Sequence, residues 1–219
     1  MIKASFKSLE RLQGRLDHGV VVLTDRKQAT MPLAEMVGAA VEGGARCVVL
    51  REKDLPRPER AALAVVLRDL LAPVGGRLIV AGPDPLGGDA VHLAAAGPYP
   101  PPKLALVGRS CHDAAELSRL TTETYAMVSP VFPTPSKPGY GPPLGLDGLA
   151  RLVARSPVPV LALGGVTPDT AYRCVAAGAA GVAVLGAVMR ARDPAAVVRE
   201  LRGATVSAAT AREGGEVAP

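Results

Sequence analysis

The sequence of 219 residues has no tryptophan and only six other aromatic residues, two phenylalanines and four tyrosines. Lysine and arginine outnumber the acidic residues by 25 to 20, yet they are spread along the chain and form no basic stripe. Proteins that bind nucleic acid usually combine such a stripe with aromatic rings that stack on bases. We therefore predict no nucleic-acid partner, and the small positive surplus suits an anionic small molecule equally well.

Cysteines and long apolar runs are also scarce. The three cysteines, at positions 47, 111 and 174, are too few and too scattered for a disulfide framework or a metal cluster. Gly, Pro or a charge interrupts each apolar run before it reaches the roughly 18 residues of a membrane span. The N-terminal segment lacks the apolar stretch of a secretory signal. We expect a protein of the reducing cytoplasm with no membrane partner.

Hydrophobic residues nevertheless make up 48% of the chain, and many fall into short apolar runs without in-and-out alternation. This pattern is typical of strands buried on both faces. The predicted strands are residues 20–23, 47–50, 78–80, 90–93, 104–107, 125–128, 158–163 and 181–185. The segments between them with helical periodicity are residues 33–42, 58–71, 112–120, 146–153, 168–177 and 193–201.

This order of strands and helices predicts an α/β fold, a single (β/α)8 TIM barrel over residues 19–203. A doubly wound open sheet is the structural alternative. Residues 1–18 are expected to form an N-terminal arm or capping helix, and residues 204–219 a flexible tail. A barrel also accounts for the 24 glycines and 21 prolines, because its many short connections need turn residues.

Polar side chains follow several of the predicted strands, where such a barrel carries its chemistry. Arg51 and Lys53 follow the second strand and suit a phosphate or carboxylate, unless Glu52 and Asp54 neutralise them. His112 follows the fifth strand, and a histidine with a pKa near neutrality can both take and give a proton. A role in helix capping or in the core is the alternative for this residue.

Glycine turns before two predicted helices indicate a phosphate site. Gly164 and Gly165 precede a helix that opens at Thr167, and Gly186 precedes a further helical turn. Backbone N–H groups at such turns attract anions, although the glycines could also form simple turns. The proline-rich segment 129–139 adds Thr134, Ser136 and Lys137, which could close over a phosphate; a solvated loop is the alternative.

His92, at the end of the predicted fourth strand, is expected to be structural.

Taken together, these residues resemble the thiamine phosphate synthase/TenI family of small (β/α)8 barrels, from about Gly19 to Arg202. The segments that carry the resemblance are Leu50-Arg51-Glu52-Lys53-Asp54, Val91-His92-Leu93, Gly108-Arg109-Ser110-Cys111-His112, Val131-Phe132-Pro133-Thr134-Pro135-Ser136-Lys137, Leu163-Gly164-Gly165-Val166 and Gly181-Val182-Ala183-Val184.

The resemblance implies one of two activities. A synthase joins a hydroxymethylpyrimidine diphosphate to a thiazole phosphate with the help of Mg²⁺, and Arg51 and Lys53 would hold the diphosphate. TenI-like members aromatise a thiazole phosphate carboxylate tautomer by moving a proton, without a metal. In either case the thiazole phosphate would be held by Thr134, Ser136, Lys137, Gly165 and the turn at Gly186.

Departures from the synthase pattern favour the second activity. The chain has Ala81-Gly82-Pro83 where a synthase typically has Asn-Asp-Arg, and residues 94–97 are Ala-Ala-Ala-Gly in place of Gly-Gln-Glu-Asp. Val49 stands where a synthase has the glutamine that binds the pyrimidine. Alanine and glycine side chains supply no oxygen ligands for Mg²⁺.

We therefore expect a TenI-like thiazole tautomerase, with His112 as the catalytic residue and no metal or other cofactor. A synthase, which alone would need Mg²⁺, and a non-catalytic barrel that binds thiazole or thiamine phosphate are the alternatives. The expected partner is a phosphorylated thiazole, and the oligomeric state, including a homo-oligomer, stays open. The expected substrate-binding residues are Arg51, Lys53, Ser110, Thr134, Ser136, Lys137, Gly164, Gly165 and Gly186.

Overall fold

The computed structural model describes residues 19–134 and 142–214, and its strands close into one parallel barrel. Each strand pairs in parallel with the next along the chain, and β8 pairs with β1. The strands are β1 Val20–Leu23, β2 Cys47–Leu50, β3 Arg77–Ala81, β4 Ala90–Leu93, β5 Leu106–Cys111, β6 Tyr125–Val128, β7 Val160–Leu163 and β8 Gly181–Val184. The predicted (β/α)8 barrel is confirmed, and the open sheet is excluded.

Helices cover the outside of the barrel. They are α1 Leu33–Glu42, α2 Arg57–Leu71 with a 3-10 turn at Ala72–Val74, α3 Ala114–Ser118, α4 Gly145–Arg155, α5 Pro168–Ala176, α6 Gly186–Met189 and α7 Pro194–Gly214. Residues 82–89 and 94–105, which join β3 to β4 and β4 to β5, form loops without a helix. Among the described helices, none combines the length and the apolarity needed to cross a membrane.

Burial on both faces explains why the strands lack alternation. In β1, Val21 points into the barrel, whereas Val20 and Val22 pack in the layer between strands and helices. The helices contribute one face each, as in α1, where Leu33, Met36, Val37 and Ala40 are buried at the spacing of one helical stripe. Each large apolar side chain buried in this way stabilises the fold by about 1.5–3 kcal/mol.

Two boundaries differ from the prediction by more than two residues. Strand β5 continues to Cys111 because Gly108–Cys111 pairs with β6, so Arg109 and Ser110 are strand residues rather than loop residues. Helix α7 continues to Gly214, so residues 204–214 of the expected tail are helical. Thr205 and Ala208 are buried, and the Arg212 guanidinium donates to the carbonyl oxygen of Val175 at 3.3 Å. Residues 1–18 and 215–219 lie outside the described part of the chain.

A buried ion pair connects β5 to the segment that precedes β6. The side chains of Arg109 and Glu123 are both fully buried, with Nε and Oε1 2.6 Å apart. Arg109 also donates to the carbonyl oxygens of Ala94 at 2.9 Å and Pro98 at 2.8 Å, and its guanidinium lies 3.9 Å from the centre of the Tyr99 ring. This one side chain therefore holds the loop between β4 and β5 against the barrel.

We predict that Glu123→Gln lowers the free energy of unfolding by about 3–5 kcal/mol, because it leaves the Arg109 charge buried without a carboxylate. Although burial opposes ionisation, hydrogen bonds from the Thr121 N–H and Arg109 hold the pKa of Glu123 below its usual 4.5. The carboxylate therefore stabilises the fold at neutral pH and stops doing so as the pH falls through its folded-state pKa.

Urea unfolding at several pH values measures this effect, with Glu59→Gln on the exposed first turn of α2 as the matched control. The gap between Glu123→Gln and the wild type should narrow below about pH 4.5. Equal free energies of unfolding for Glu123→Gln and Glu59→Gln at pH 7 would contradict the stabilising role assigned to the Arg109–Glu123 pair.

Candidate functional site

A cavity of about 740 Å³ opens at the carboxyl ends of the strands, with wall residues contributed by seven of the strands and, after β6, by the loop that follows that strand. Every predicted site residue within the described chain lies in this wall: Arg51, Lys53, Ser110, His112, Thr134, Gly164, Gly165 and Gly186. Ser136 and Lys137 lie outside the described residues. The fold thus brings together positions far apart in the sequence, and the predicted roles of these residues remain predictions.

His112 lies at the cavity wall beside a carboxylate. Its Nδ1 is 2.9 Å from Oε2 of Glu116, and its backbone N–H donates to the same oxygen at 2.6 Å. Glu116 is fixed in turn, because its backbone N–H donates to the side chain of Asp113, which caps α3. The carboxylate therefore orients the imidazole. Sequence reasoning did not identify this partner, although the i,i+4 spacing on a predicted helix points to it.

Arg51 and Lys53 contribute positive charge to the cavity. Their sequence neighbours do not neutralise them, because Glu52 and Asp54 both turn to Arg26. Glu52 is buried and accepts from both the backbone N–H and the guanidinium of Arg26, and Asp54 accepts two hydrogen bonds from the same guanidinium at 2.7 and 2.8 Å. This arrangement leaves Arg51 and Lys53, which follow β2, available to an anionic ligand.

The ammonium of Lys53 lies among other cations. Partial removal from water, together with the positive charges of Arg51 and Arg60, lowers its pKa below the usual 10.5. A bound anion would relieve this repulsion, so the electrostatics of the wall favour anion binding. Arg51 has an acidic partner in Asp25, whose Oδ2 lies 3.9 Å from its Nη1.

The double-glycine turn after β7 packs tightly against the loop that follows β6. The N–H of Phe132 donates to the carbonyl oxygen of Gly164 at 2.9 Å. Gly165 has φ +65°, and a Cβ atom there would lie 2.5 Å from the carbonyl oxygen of Pro133. Glycine is needed at this position for both reasons, and Thr134 lines the cavity together with Gly164 and Gly165.

A further cation stands over the turn after β8. The guanidinium of Arg190 covers Gly186 so closely that a Cβ atom there would collide with it, and it donates to the side-chain oxygen of Gln28. Gln28 in turn donates to Asp25 at 2.7 Å, and all four residues line the cavity. Sequence reasoning missed Arg190 and Gln28, because residues 162 positions apart give no local signal.

The wall offers no ligand set for a divalent metal where the family resemblance would place one. Ala81 ends β3 and is followed by Gly82 and Pro83, and residues 94–96 after β4 are all alanines. Asp84 is engaged by Arg57 at 2.7 Å, and Asp89 precedes β4 at the opposite end of the barrel. Within residues 19–134 and 142–214 there is no group of three His, Cys, Asp or Glu side chains that could hold a metal ion. The residues described do not fit a Mg²⁺ site.

Comparisons with known proteins place this cavity in context. The model of the family described as thiamine monophosphate synthase matches residues 20–188. The thiamine-phosphate synthase of Thermobifida fusca is 36% identical over 225 residues, covering 92% of this chain and 99% of the relative. That of Moorella thermoacetica is 34% identical over 194 residues, covering 83% and 92%. These names favour the synthase alternative over the tautomerase.

The solved structure of a thiamine phosphate pyrophosphorylase from Pyrococcus furiosus is similar throughout. It superposes with a TM-score of 0.77 at 28% identity, covering 89% of this chain and 98% of that chain.

We predict that Gly165→Ala destabilises the fold by about 1–3 kcal/mol, since it places a side chain at positive φ against the backbone of Pro133. Gly203→Ala is the matched control, because nothing lies within 4 Å of its added methyl group in α7. That substitution should raise the stability by about 0.5–1 kcal/mol. Urea unfolding compares the two, and equal effects would show that the turn tolerates a side chain.

Proposed function

Because this chain belongs to the thiamine monophosphate synthase family, we propose that it is an enzyme of thiamine biosynthesis that acts on a phosphorylated thiazole. The reaction we propose is the aromatisation of a thiazole phosphate carboxylate tautomer. One proton leaves a ring carbon, one returns at another carbon, and neither oxidant nor metal is needed. The observation that carries this proposal is the pair of His112 and Glu116 in a cationic cavity, whose described residues include no group of three metal-ligating side chains.

His112 is the proposed acid and base. If the Glu116 carboxylate accepts the proton on Nδ1, then Nε2 is the atom that exchanges a proton with the substrate. The nearby carboxylate also stabilises the imidazolium that forms when the ring proton is taken. The same nitrogen can return this proton to the new position, so one residue serves both half-reactions.

The cations would hold the two anionic groups of the substrate. Arg51 and Lys53 lie on the β2 side of the cavity and suit the carboxylate. The turns at Gly165 and Gly186 follow β7 and β8, which β1 separates from β2, and suit the phosphate. A substrate held at both ends presents its ring to the space between them, where His112 reaches it.

We predict that the wild type accelerates the rise in thiazole absorbance when the non-aromatic tautomer is supplied, and that EDTA leaves this rate unchanged. His112→Ala should lower kcat by about 10²–10⁴, because general acid–base catalysis contributes factors of this size. Glu116→Gln should lower kcat less, and the matched control Glu35→Gln, on the exposed face of α1, should have no effect. An undiminished rate in His112→Ala would sink the assignment.

Thiamine phosphate synthase is the second candidate, favoured by the names of the relatives and by Arg51 and Lys53, which also suit a diphosphate. This activity predicts Mg²⁺-dependent release of pyrophosphate when hydroxymethylpyrimidine diphosphate and thiazole phosphate are supplied together. Both reactions should be assayed on one preparation. Binding of thiazole phosphate by calorimetry without either turnover would instead indicate a non-catalytic barrel.

A further inference from the structure

A buried histidine that the proposed reaction does not use lies directly beneath the cavity. His92 is 7% exposed and lines the cavity floor with Ser110. Its Nε2 is 2.9 Å from Oγ of Ser110, and its Nδ1 is 3.2 Å from Oη of Tyr125. Both ring nitrogens are therefore engaged, one by a hydroxyl that faces the ligand space and one by a hydroxyl in the core.

The register of three adjacent strands builds this chain of side chains. His92 on β4 pairs with Gly108 on β5, and Gly108 pairs with Tyr125 on β6. A Cβ atom at Gly108 would collide with the Tyr125 ring, so glycine leaves the space across which the two rings stack, with centroids 5.6 Å apart. Ser110 lies two residues further along β5, on the same face and nearer the carboxyl end.

The three hydrogen-bonded side chains of Tyr125, His92 and Ser110 carry no net charge at neutral pH. Burial, with added repulsion from Lys53, Arg109 and Arg51, lowers the pKa of His92 to about 3. Burial likewise raises the pKa of Tyr125 far above its usual 10. Neither group can act as a proton store, in contrast to what is proposed for His112. His92 and Tyr125 can therefore act only by orienting the side chain to which His92 is hydrogen-bonded, Ser110.

We propose that His92 is a positioning residue that, with Tyr125, fixes the Ser110 hydroxyl as a hydrogen-bond donor to the anionic substrate. Tyr125 donates to Nδ1, the Nε2–H donates to Oγ of Ser110, and the serine proton is directed into the cavity. An anionic ligand accepts hydrogen bonds, so this order of donors suits it and the reverse order does not. The inference deepens the proposed function and depends on the same cavity.

Two amide substitutions separate positioning from packing. The side-chain nitrogen of His92→Gln can occupy the place of Nε2 and donate to Ser110, whereas His92→Asn reaches only the place of Nδ1. Ser110→Ala and His92→Asn should each lower kcat/KM by about 10- to 100-fold, the value of a hydrogen bond to a charged group. His92→Gln should recover most of the activity, and Ser110→Ala/His92→Asn should be no worse than either single change.

Equal losses in the Asn and Gln variants, with independent effects in the double variant, would show that His92 serves packing alone and would overturn the proposal. Unfolding midpoints of all variants report any loss of folded protein.

A second readout does not depend on turnover. In ¹⁵N-histidine-labelled protein, which has only three histidines, His92 should show a neutral ring with the proton on Nε2 from about pH 6 to 8. Protonation on Nδ1, or an imidazolium in this range, would overturn the inference. If neither family reaction is found but this tautomer is observed and Ser110→Ala weakens thiazole phosphate binding in calorimetry, the proposed reaction fails and the positioning role stands.

Discussion

Closure of a parallel sheet is the constraint on which the rest of this molecule depends. Because β1 pairs with both β2 and β8, every strand has two neighbours and all eight carboxyl ends meet at one mouth. Side chains that follow different strands are thereby forced into one cavity, whatever their separation in the sequence. Arg51, His112 and Gly165 converge for this reason. The chemistry of the cavity is then determined by the few residues at the carboxyl end of each strand and in the loop that follows it.

The distribution of carboxylates gives this cavity its charge. Glu52 and Asp54 are drawn to Arg26, and Glu123 is buried on Arg109. Each of these acids pairs with an arginine that does not line the cavity. The positive charges of the cavity wall are therefore not neutralised by these carboxylates. Glu116 is different, because it pairs with the ring of His112, the proposed base, and, within the described part of the chain, with no arginine. The two uses of acid, neutralising scaffold arginines and orienting a base, are spatially separate.

Patterns within a single element could be predicted from the sequence, whereas pairings between elements could not. Helix α1 begins and ends as expected, at Leu33 and Glu42, because its apolar spacing alone defines it. Strand β5 extends further than expected, because Arg109 is a strand residue only when Glu123 and the loop carbonyls satisfy its guanidinium. Helix α7 continues through residues 204–214, where Thr, Val and Ser have lower helix propensities than alanine, and packing of Thr205 and Ala208 stabilises it there.

The names of the relatives favour the synthase reaction, whereas the residues of the cavity favour the tautomerase reaction. The two reactions make different chemical demands on these residues. Identity of 34–36% to proteins named as synthases shows the family, and both reactions considered need this fold and a site for the thiazole phosphate. Departure of a diphosphate creates charge that a metal normally offsets, and alanines at 94–96 leave that task to Arg51 and Lys53. Proton transfer creates less charge and requires a base with an oriented ring, the role proposed for His112 beside Glu116. The residues present therefore meet the requirements of isomerisation more completely than those of substitution.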